Sequence, residues 1–358
     1  MPILRYTPTG FGRYMGAAFS GARLISFSWE ELCRAAITVG RRSWADVLQF
    51  GTYSVLETIW RLTIVWANLK EEANSRIGRS NAFLGLDPSE KGAVSYFLGL
   101  AIAKLLAERL FGVAWLLHFD LYRQYLNPTL GPFGNKPDFV GLDATRHWVV
   151  IETKGRTNAA GQQLANAAKR QTRSLRQVGG EFPTLRAAIV VDFAYGPLRA
   201  FVQDPEEFDP DAPDITVEAR ELVRAYYRPL IRLIQNLPHD RREDSAKGQS
   251  YLRATLPVLD VTVELNEKIF QWYELPDAPL TELEPILPKS PEVLQHVAEH
   301  RGDSEKQAGV NDEPAKDEVL SVADLREEQP VGADGVSVIL GKSWNKEIMC
   351  QEPEKREQ

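Results

Sequence analysis

The sequence predicts an α/β protein, and three observations carry that expectation. Between residues 88 and 205, helical stripes and short apolar runs bounded by turn residues follow the order helix, three strands, helix, two strands. The stretch before this block reads as helical. Beyond about Leu287 the composition shifts to Glu, Lys, Asp, Gln and Pro, which cannot offset the entropy of ordering, so residues 287–358 are expected to form a largely disordered acidic tail.

Residues 1–27 contain Gly10, Gly12, Gly16 and Gly21 without a sustained period and predict an irregular arm; the spacing matches no phosphate-binding loop. Ser28 before Trp29-Glu30-Glu31 is an N-cap followed by a negative first turn, opening a helix that runs to about Val39. A second helix is expected from Ser43 to about Ala73, with a break near Gly51, and its Val55, Ile59, Leu62 and Trp66 form one buried stripe. Residues 28–86 thus read as a helical accessory subdomain. Asp87-Pro88-Ser89 starts the first core helix, over residues 90–110, apolar nearly all round and hence buried. Gly99 in its middle costs about 1 kcal/mol relative to alanine, which predicts close approach to a neighbouring backbone.

Strands are expected at 113–119, 137–142 and 147–153, the last two joined by the turn Asp143-Ala144-Thr145-Arg146. A helix over 159–178 ends at Gly179-Gly180, and strands at 187–194 and 198–203 flank Tyr195-Gly196-Pro197. Residues 215–235 look helical, and 251–274 predict a strand and a further helix, so the α/β domain is drawn over 87–286 with its core at 88–205. In the tail, 319–325 suggests a brief helix and 336–344 a short docking segment.

Bulk composition narrows the function. With 42 basic against 49 acidic residues the formal charge is −7, so any nucleic-acid binding must come from a local patch. Cys33 and Cys350 are the only cysteines and support neither a disulfide framework nor a cysteine metal site, which suits a reducing cytoplasm. The most apolar stretch, 55–69, contains Glu57 and Arg61 and falls short of the roughly 20 apolar residues that cross a bilayer. The first residues lack a secretory pattern, and a cytoplasmic protein with no membrane partner is expected.

Charged residues at the ends of two apolar strands carry the chemistry: Asp138 in Lys136-Pro137-Asp138-Phe139, and Glu152 and Lys154 after Val149-Val150-Ile151. Such placement is costly unless the charges are used. Side chains alternate along a strand, so Glu152 and Lys154 share a face. If the connecting loop has an odd number of residues, Asp138 lands opposite Glu152, with Cβ atoms about 4.5–5.5 Å apart. Paired carboxylates repel unless a cation lies between them, and hard oxygen ligands suit magnesium or manganese. The Thr153 carbonyl can add a ligand, while Lys154 can orient or deprotonate a water or stabilise charge on a phosphate.

Through Pro137-Asp138 followed by Glu152-Thr153-Lys154, residues 88–205 resemble the PD-(D/E)XK nuclease superfamily, the restriction-endonuclease-like fold. The resemblance implies a central mixed β-sheet flanked by helices, metal bound by the carboxylates at Asp138 and Glu152, a catalytic lysine at Lys154, and nucleic acid, most often DNA, as substrate. Many members of the superfamily place another glutamate on the first core helix, where this chain has Ser95, Tyr96 and Gly99 mid-helix; Glu90 or Glu108 near its ends are the substitutes at hand.

Between Glu152 and Glu181 no acidic residue occurs, whereas Lys154, Arg156, Lys169, Arg170, Arg173 and Arg176 do. Lys169, Arg173 and Arg176 recur at helical spacing, so with Arg156 they predict a basic nucleic-acid face near the site; a solvated helix face is the alternative. Gln171 adjoins it and is a candidate substrate contact. His118 and Asp120 end the first strand two residues apart, either as a metal or acid-base pair or, more commonly, as a satisfied histidine beside a strand-terminal carboxylate. The expectation is therefore a magnesium-dependent endonuclease acting on DNA, fitting restriction or anti-phage defence and, less well, junction resolution or repair, with a homodimer or a partner subunit possible. The alternative is a catalytically silent relative serving as a nucleic-acid-binding or scaffolding subunit; a third is an interaction protein recruiting a partner through the helical region and tail.

Overall fold

The computed structural model describes residues 1–11, 19–39, 52–120, 122, 136–159, 162–204, 208–244, 248–287 and 331–344. The N-terminal half contains β1 (Ile3–Thr9), β2 (Arg23–Ser26), α1 (Trp29–Thr38), α2 (Thr52–Asn68), β3 (Leu69–Glu71), β4 (Ile77–Arg79), α3 (Asn81–Gly85), α4 (Pro88–Phe111), β5 (Val113–His118), β6 (Phe139–Asp143) and β7 (Trp148–Arg156). There follow α5 (Gln162–Thr172), β8 (Leu185–Asp192), β9 (Arg199–Gln203), α6 (Ala219–Asn236), β10 (His239–Asp244), β11 (Gln249–Leu256), β12 (Val261–Asn266), α7 (Glu267–Glu274) and β13 (Val336–Leu340).

Seven strands form one mixed sheet in the order β2-β1-β9-β8-β7-β6-β5, in which β1/β9 and β7/β8 run parallel and the other pairs antiparallel. Helices cover both faces. On α5, Ala168 packs against Ala188 and Val190, which lie opposite Glu152 and Lys154 on the neighbouring strand. On the other face, α4 receives the Thr153 hydroxyl at the Gly99 carbonyl (3.3 Å). A Cβ on Gly99 would stand 2.8 Å from the Gly155 Cα, and one on Gly155 would stand 1.8 Å from the Ser95 carbonyl oxygen, so the two glycines are what let helix and strand meet. This is the close backbone approach expected of Gly99. The helix begins with an Asp87 capping box and Pro88 and stops at Gly112, which is left-handed at φ 57°.

Five expectations are corrected, the last of them in the C-terminal region. Residues 1–27 do not form an irregular arm: they supply two strands of the main sheet, with Leu4, Tyr6 and Pro8 buried and Arg5 and Thr9 exposed. That period-2 signal is one strand long and is followed by glycines, which mask it; residues 12–18 lie outside the described residues. The second helix ends at Asn68, whose side-chain amide donates to the Ile64 carbonyl at 2.9 Å, and the chain then enters the ribbon β3/β4; the expected start at Ser43 lies outside the described residues. Residues 28–86 are not a separate accessory unit, since Leu32, Ile37, Leu62, Val65 and Phe83 belong to the same continuous core as Leu98, Leu106 and Ile151. Fourth, the stretch expected to supply one strand and a helix contributes β11, β12 and α7 to a second, antiparallel sheet ordered β10-β11-β12-β13. Its first strand, His239-Asp240-Arg241-Arg242-Glu243-Asp244, is polar throughout and has no alternation to read.

The strand β13 belongs to the region expected to be a disordered tail. Residues 331–344 instead return to the core, as the short docking segment expected at 336–344 requires, and Trp344 packs edge-on against Trp66 with ring centroids 4.9 Å apart. The expected helix at 319–325 lies outside the described residues. A fully enclosed charge cluster holds the returning segment. Arg34 on α1 pairs with Glu108 on α4 (2.8 Å) and with Asp334 (3.5 Å). Glu108 also accepts the Ala333 amide (2.9 Å), Tyr226 donates to the Asp334 carboxylate, and Tyr227 donates to the Asp334 carbonyl (2.7 Å) while accepting from the Trp115 indole (2.9 Å). Lys104 donates to the Ala114 carbonyl at 2.7 Å, and Arg109 joins Glu31 (3.2 Å) to the same region. Among the described residues no helix is long and apolar enough to cross a membrane.

Candidate active site

The hairpin β6/β7 sets the geometry. Asp143 pins its turn by accepting the Thr145 and His147 amides, each at 2.9 Å, and Arg146 takes a left-handed φ of 69°. The register Leu142↔Trp148 to Phe139↔Ile151 then follows, and one step further places Asp138 opposite Glu152. The two are joined reciprocally: the Asp138 amide donates to Glu152 Oε2 (2.9 Å), and the Thr153 amide donates to Asp138 Oδ2 (3.0 Å). The Lys154 ammonium contacts Glu152 Oε1. Asp138, Glu152 and Lys154 therefore meet on one face, where Glu152 is wholly buried and Lys154 half-buried.

Electrostatically the site has too little positive charge. Burial, reinforced by the Asp138 charge, pushes Glu152 up to about 8 despite Lys154. Burial also raises Asp138, against the pull of Lys154 and the Thr153 amide. Among the described residues no group of three or more His, Cys, Asp and Glu is arranged to hold a metal. Two carboxylates with oxygen-only donors nevertheless fit magnesium, which commonly takes one or two protein carboxylates and keeps several waters. The Thr153 amide turns toward Asp138, and since a residue's N–H and C=O share one side of a strand, its carbonyl faces that side as well.

The other expected residues are distributed differently. Glu90 accepts the Asp87 amide (3.1 Å) and closes the capping box at the exposed start of α4, so its carboxylate is used by its own helix. Glu108 lies in the buried cluster with Arg34. Gln171 donates to the Lys136 carbonyl (3.3 Å) and so ties α5 to the segment leading into Asp138. Arg156 is exposed at the end of β7. The common helical face of Lys169, Arg173 and Arg176 is not formed, because α5 stops at Thr172. The Thr172 and Ser174 hydroxyls donate to the Lys169 (2.8 Å) and Gln171 (2.6 Å) carbonyls, taking over last-turn acceptors. Arg176, beyond the helix, is bidentate to Asp214 with Nε 2.9 Å from Oδ1. Lys169 stays on the last turn, half-buried.

Asp120 pairs with Lys136 rather than with His118. His118 lies in the row of Phe139 and Ile151, 3.5 Å from the Tyr96 hydroxyl, with burial holding its pKa down. Sequence reasoning missed Arg186, a buried guanidinium that donates to the Thr172 (3.1 Å), Leu175 and Arg176 (2.7 Å) carbonyls and terminates α5. A charge inside the apolar strand β8 was the available signal. The chain matches no protein-family model, and no curated protein and no solved structure is significantly similar to it.

Proposed function

We propose that the protein is a metal-dependent nuclease that hydrolyses phosphodiester bonds, with DNA as the first substrate to test, on a restriction-endonuclease-like version of the mixed sheet. The observation that carries this reading is the registered meeting of Asp138, Glu152 and Lys154, two carboxylates served by one ammonium. Asp138, Glu152 and the Thr153 carbonyl would hold magnesium or manganese. Such an ion supplies Lewis-acid polarisation of a phosphoryl oxygen and a water of lowered pKa. Lys154, at the solvent side of the pair, holds the attacking water or a phosphate oxygen and stabilises the charge that develops as the water oxygen bonds to phosphorus and the bridging P–O bond breaks.

Incubation of the full chain with plasmid, linear and single-stranded DNA and with RNA, with and without magnesium or manganese, tests the proposal. Cleavage is expected only with the cation, and Lys154→Ala should slow it about 10²–10³-fold, the usual effect of removing one charge-stabilising donor. Cleavage that survives both Lys154→Ala and Asp138→Asn would overturn the assignment. A second reading, a silent nucleic-acid-binding subunit, is favoured by one observation: Glu90 caps its own helix. Under that reading the wild type binds without cutting, and a chelator changes nothing.

A further inference from the structure

One step beyond Lys154 along β7, a row of charged side chains crosses the sheet. Arg156 stands opposite Asp192 on β8, Asp192 opposite Arg199 on β9, and Arg199 opposite Arg5 on β1. Residues in register share a face, and Arg156 is two positions past Lys154, so the row lies on the face that carries Asp138, Glu152 and Lys154. At about 4.8 Å between strands, Arg5 is roughly 14 Å from Arg156 across the sheet. Together with Arg76, Ala159 and Tyr195, the Arg5 and Arg199 side chains line a cavity of about 650 Å³.

Cations dominate this cavity. Asp192 pairs with Arg199 (2.7 Å), and Glu72 stands at the rim, within 3.2 Å of where a Gly196 Cβ would be. Burial, then the nearby Arg5 charge, lowers the pKa of Arg76, which lines the same cavity. Tyr195 is 57% exposed, with the Arg199 guanidinium 5.2 Å from its ring centroid. Stacking rings beside a positive groove are the recurring elements of single-strand binding.

We propose that Arg5, Arg76 and Arg199 hold backbone phosphates of a single-stranded nucleic acid that extends past the Asp138–Glu152 pair, with Tyr195 as the platform for one base. The ligand class rests on the nuclease reading, whereas the subsite is tested by binding alone. The measurement is fluorescence anisotropy of the full chain with a labelled 12-nucleotide single strand in chelator, repeated over a series of salt concentrations.

The Arg5→Ala/Arg76→Ala variant should bind about tenfold more weakly and lose about 1.4 from the slope of log affinity against log salt, for two phosphate contacts on a single strand. Tyr195→Ala should cost about fivefold with the slope unchanged. Arg232→Ala, exposed on α6, should alter neither. If the double variant loses its circular-dichroism signature, Arg5→Ala alone, at an exposed strand position, should show about half the slope change. Wild-type affinity and slope in these arginine variants would overturn the subsite even if the protein cuts DNA, and so would a wild type that binds no strand. Weakened binding of the predicted size in a protein that never cleaves would uphold the subsite and refute the nuclease reading.

Discussion

The clusters around Glu108 and Glu152 each surround a buried glutamate with carboxylates and cations, yet the first is fully enclosed while Asp138 and Lys154 of the second are half-buried, and their charges are balanced differently. Around Glu108, the cations Arg34, Lys104 and Arg109 meet the carboxylates Glu31, Glu108 and Asp334, and backbone groups and two tyrosines take up remaining hydrogen-bonding positions. Around Glu152, two carboxylates share the single ammonium of Lys154. Burial pushes both glutamates up, but Arg34 and Lys104 outweigh it at Glu108, which ends below its ordinary range. At Glu152 the second carboxylate adds to the burial effect and the pKa reaches about 8. The difference teaches which cluster is finished. The neutral one fastens α1, α4 and the 331–344 segment together; the other carries a net negative charge once Glu152 ionises.

The largest contrast should come from breaking the neutral cluster. Asp334→Ala removes a partner of buried Arg34 and the acceptor of Tyr226, and breaking such a pair typically costs about 3–5 kcal/mol. Urea denaturation at neutral pH measures it, and limited proteolysis should show 331–344 released. A loss below about 1 kcal/mol would erase the distinction between the two clusters.

Glu152→Gln should act in the opposite sense. Because the folded-state pKa of Glu152 is raised from 4.5 to about 8, its contribution to stability is fully present below about 4.5 and is lost as pH rises through about 8. In the metal-free protein Tm should therefore fall over that window, and the fall should be smaller in Glu152→Gln. Added magnesium should restore stability at the alkaline end of the wild-type profile, where the carboxylate is available to it. Identical profiles for the two proteins would show that Glu152 is not the strained group. The smallest effect belongs to Arg176→Ala. Its ion pair with Asp214 is solvent-exposed and occupies its guanidinium, so neither Tm nor nucleic-acid affinity should move measurably, and a clear loss of binding would return it to the basic patch.

Much of the site was legible before any coordinates, because it depends on short-range rules. Alternation put Glu152 and Lys154 on one face and apolar neighbours marked the charges as buried, whereas the register was conditional on an odd loop: the turn drawn over four residues, 143–146, spans five, 143–147, with Leu142 paired to Trp148. The capped α4 and its tightly approached Gly99 were readable for the same reason. The helical face drawn through Lys169, Arg173 and Arg176 failed because the end of α5 is decided by Arg186, a residue supplied from the next strand.

What the sequence alone determined, then, was the identity of Asp138, Glu152 and Lys154 within one hairpin and the common face of the last two, because strand alternation is a local rule, while the folded turn fixed the register that sets Asp138 opposite Glu152. Only the tertiary structure decided that β1 and β2 extend the sheet, that Arg5 and Arg199 become neighbours, and that Asp334 crosses back to Arg34 and Glu108. Those pairings join segments far apart in the chain, and no local periodicity encodes which distant partner will bury a strand edge or neutralise a charge.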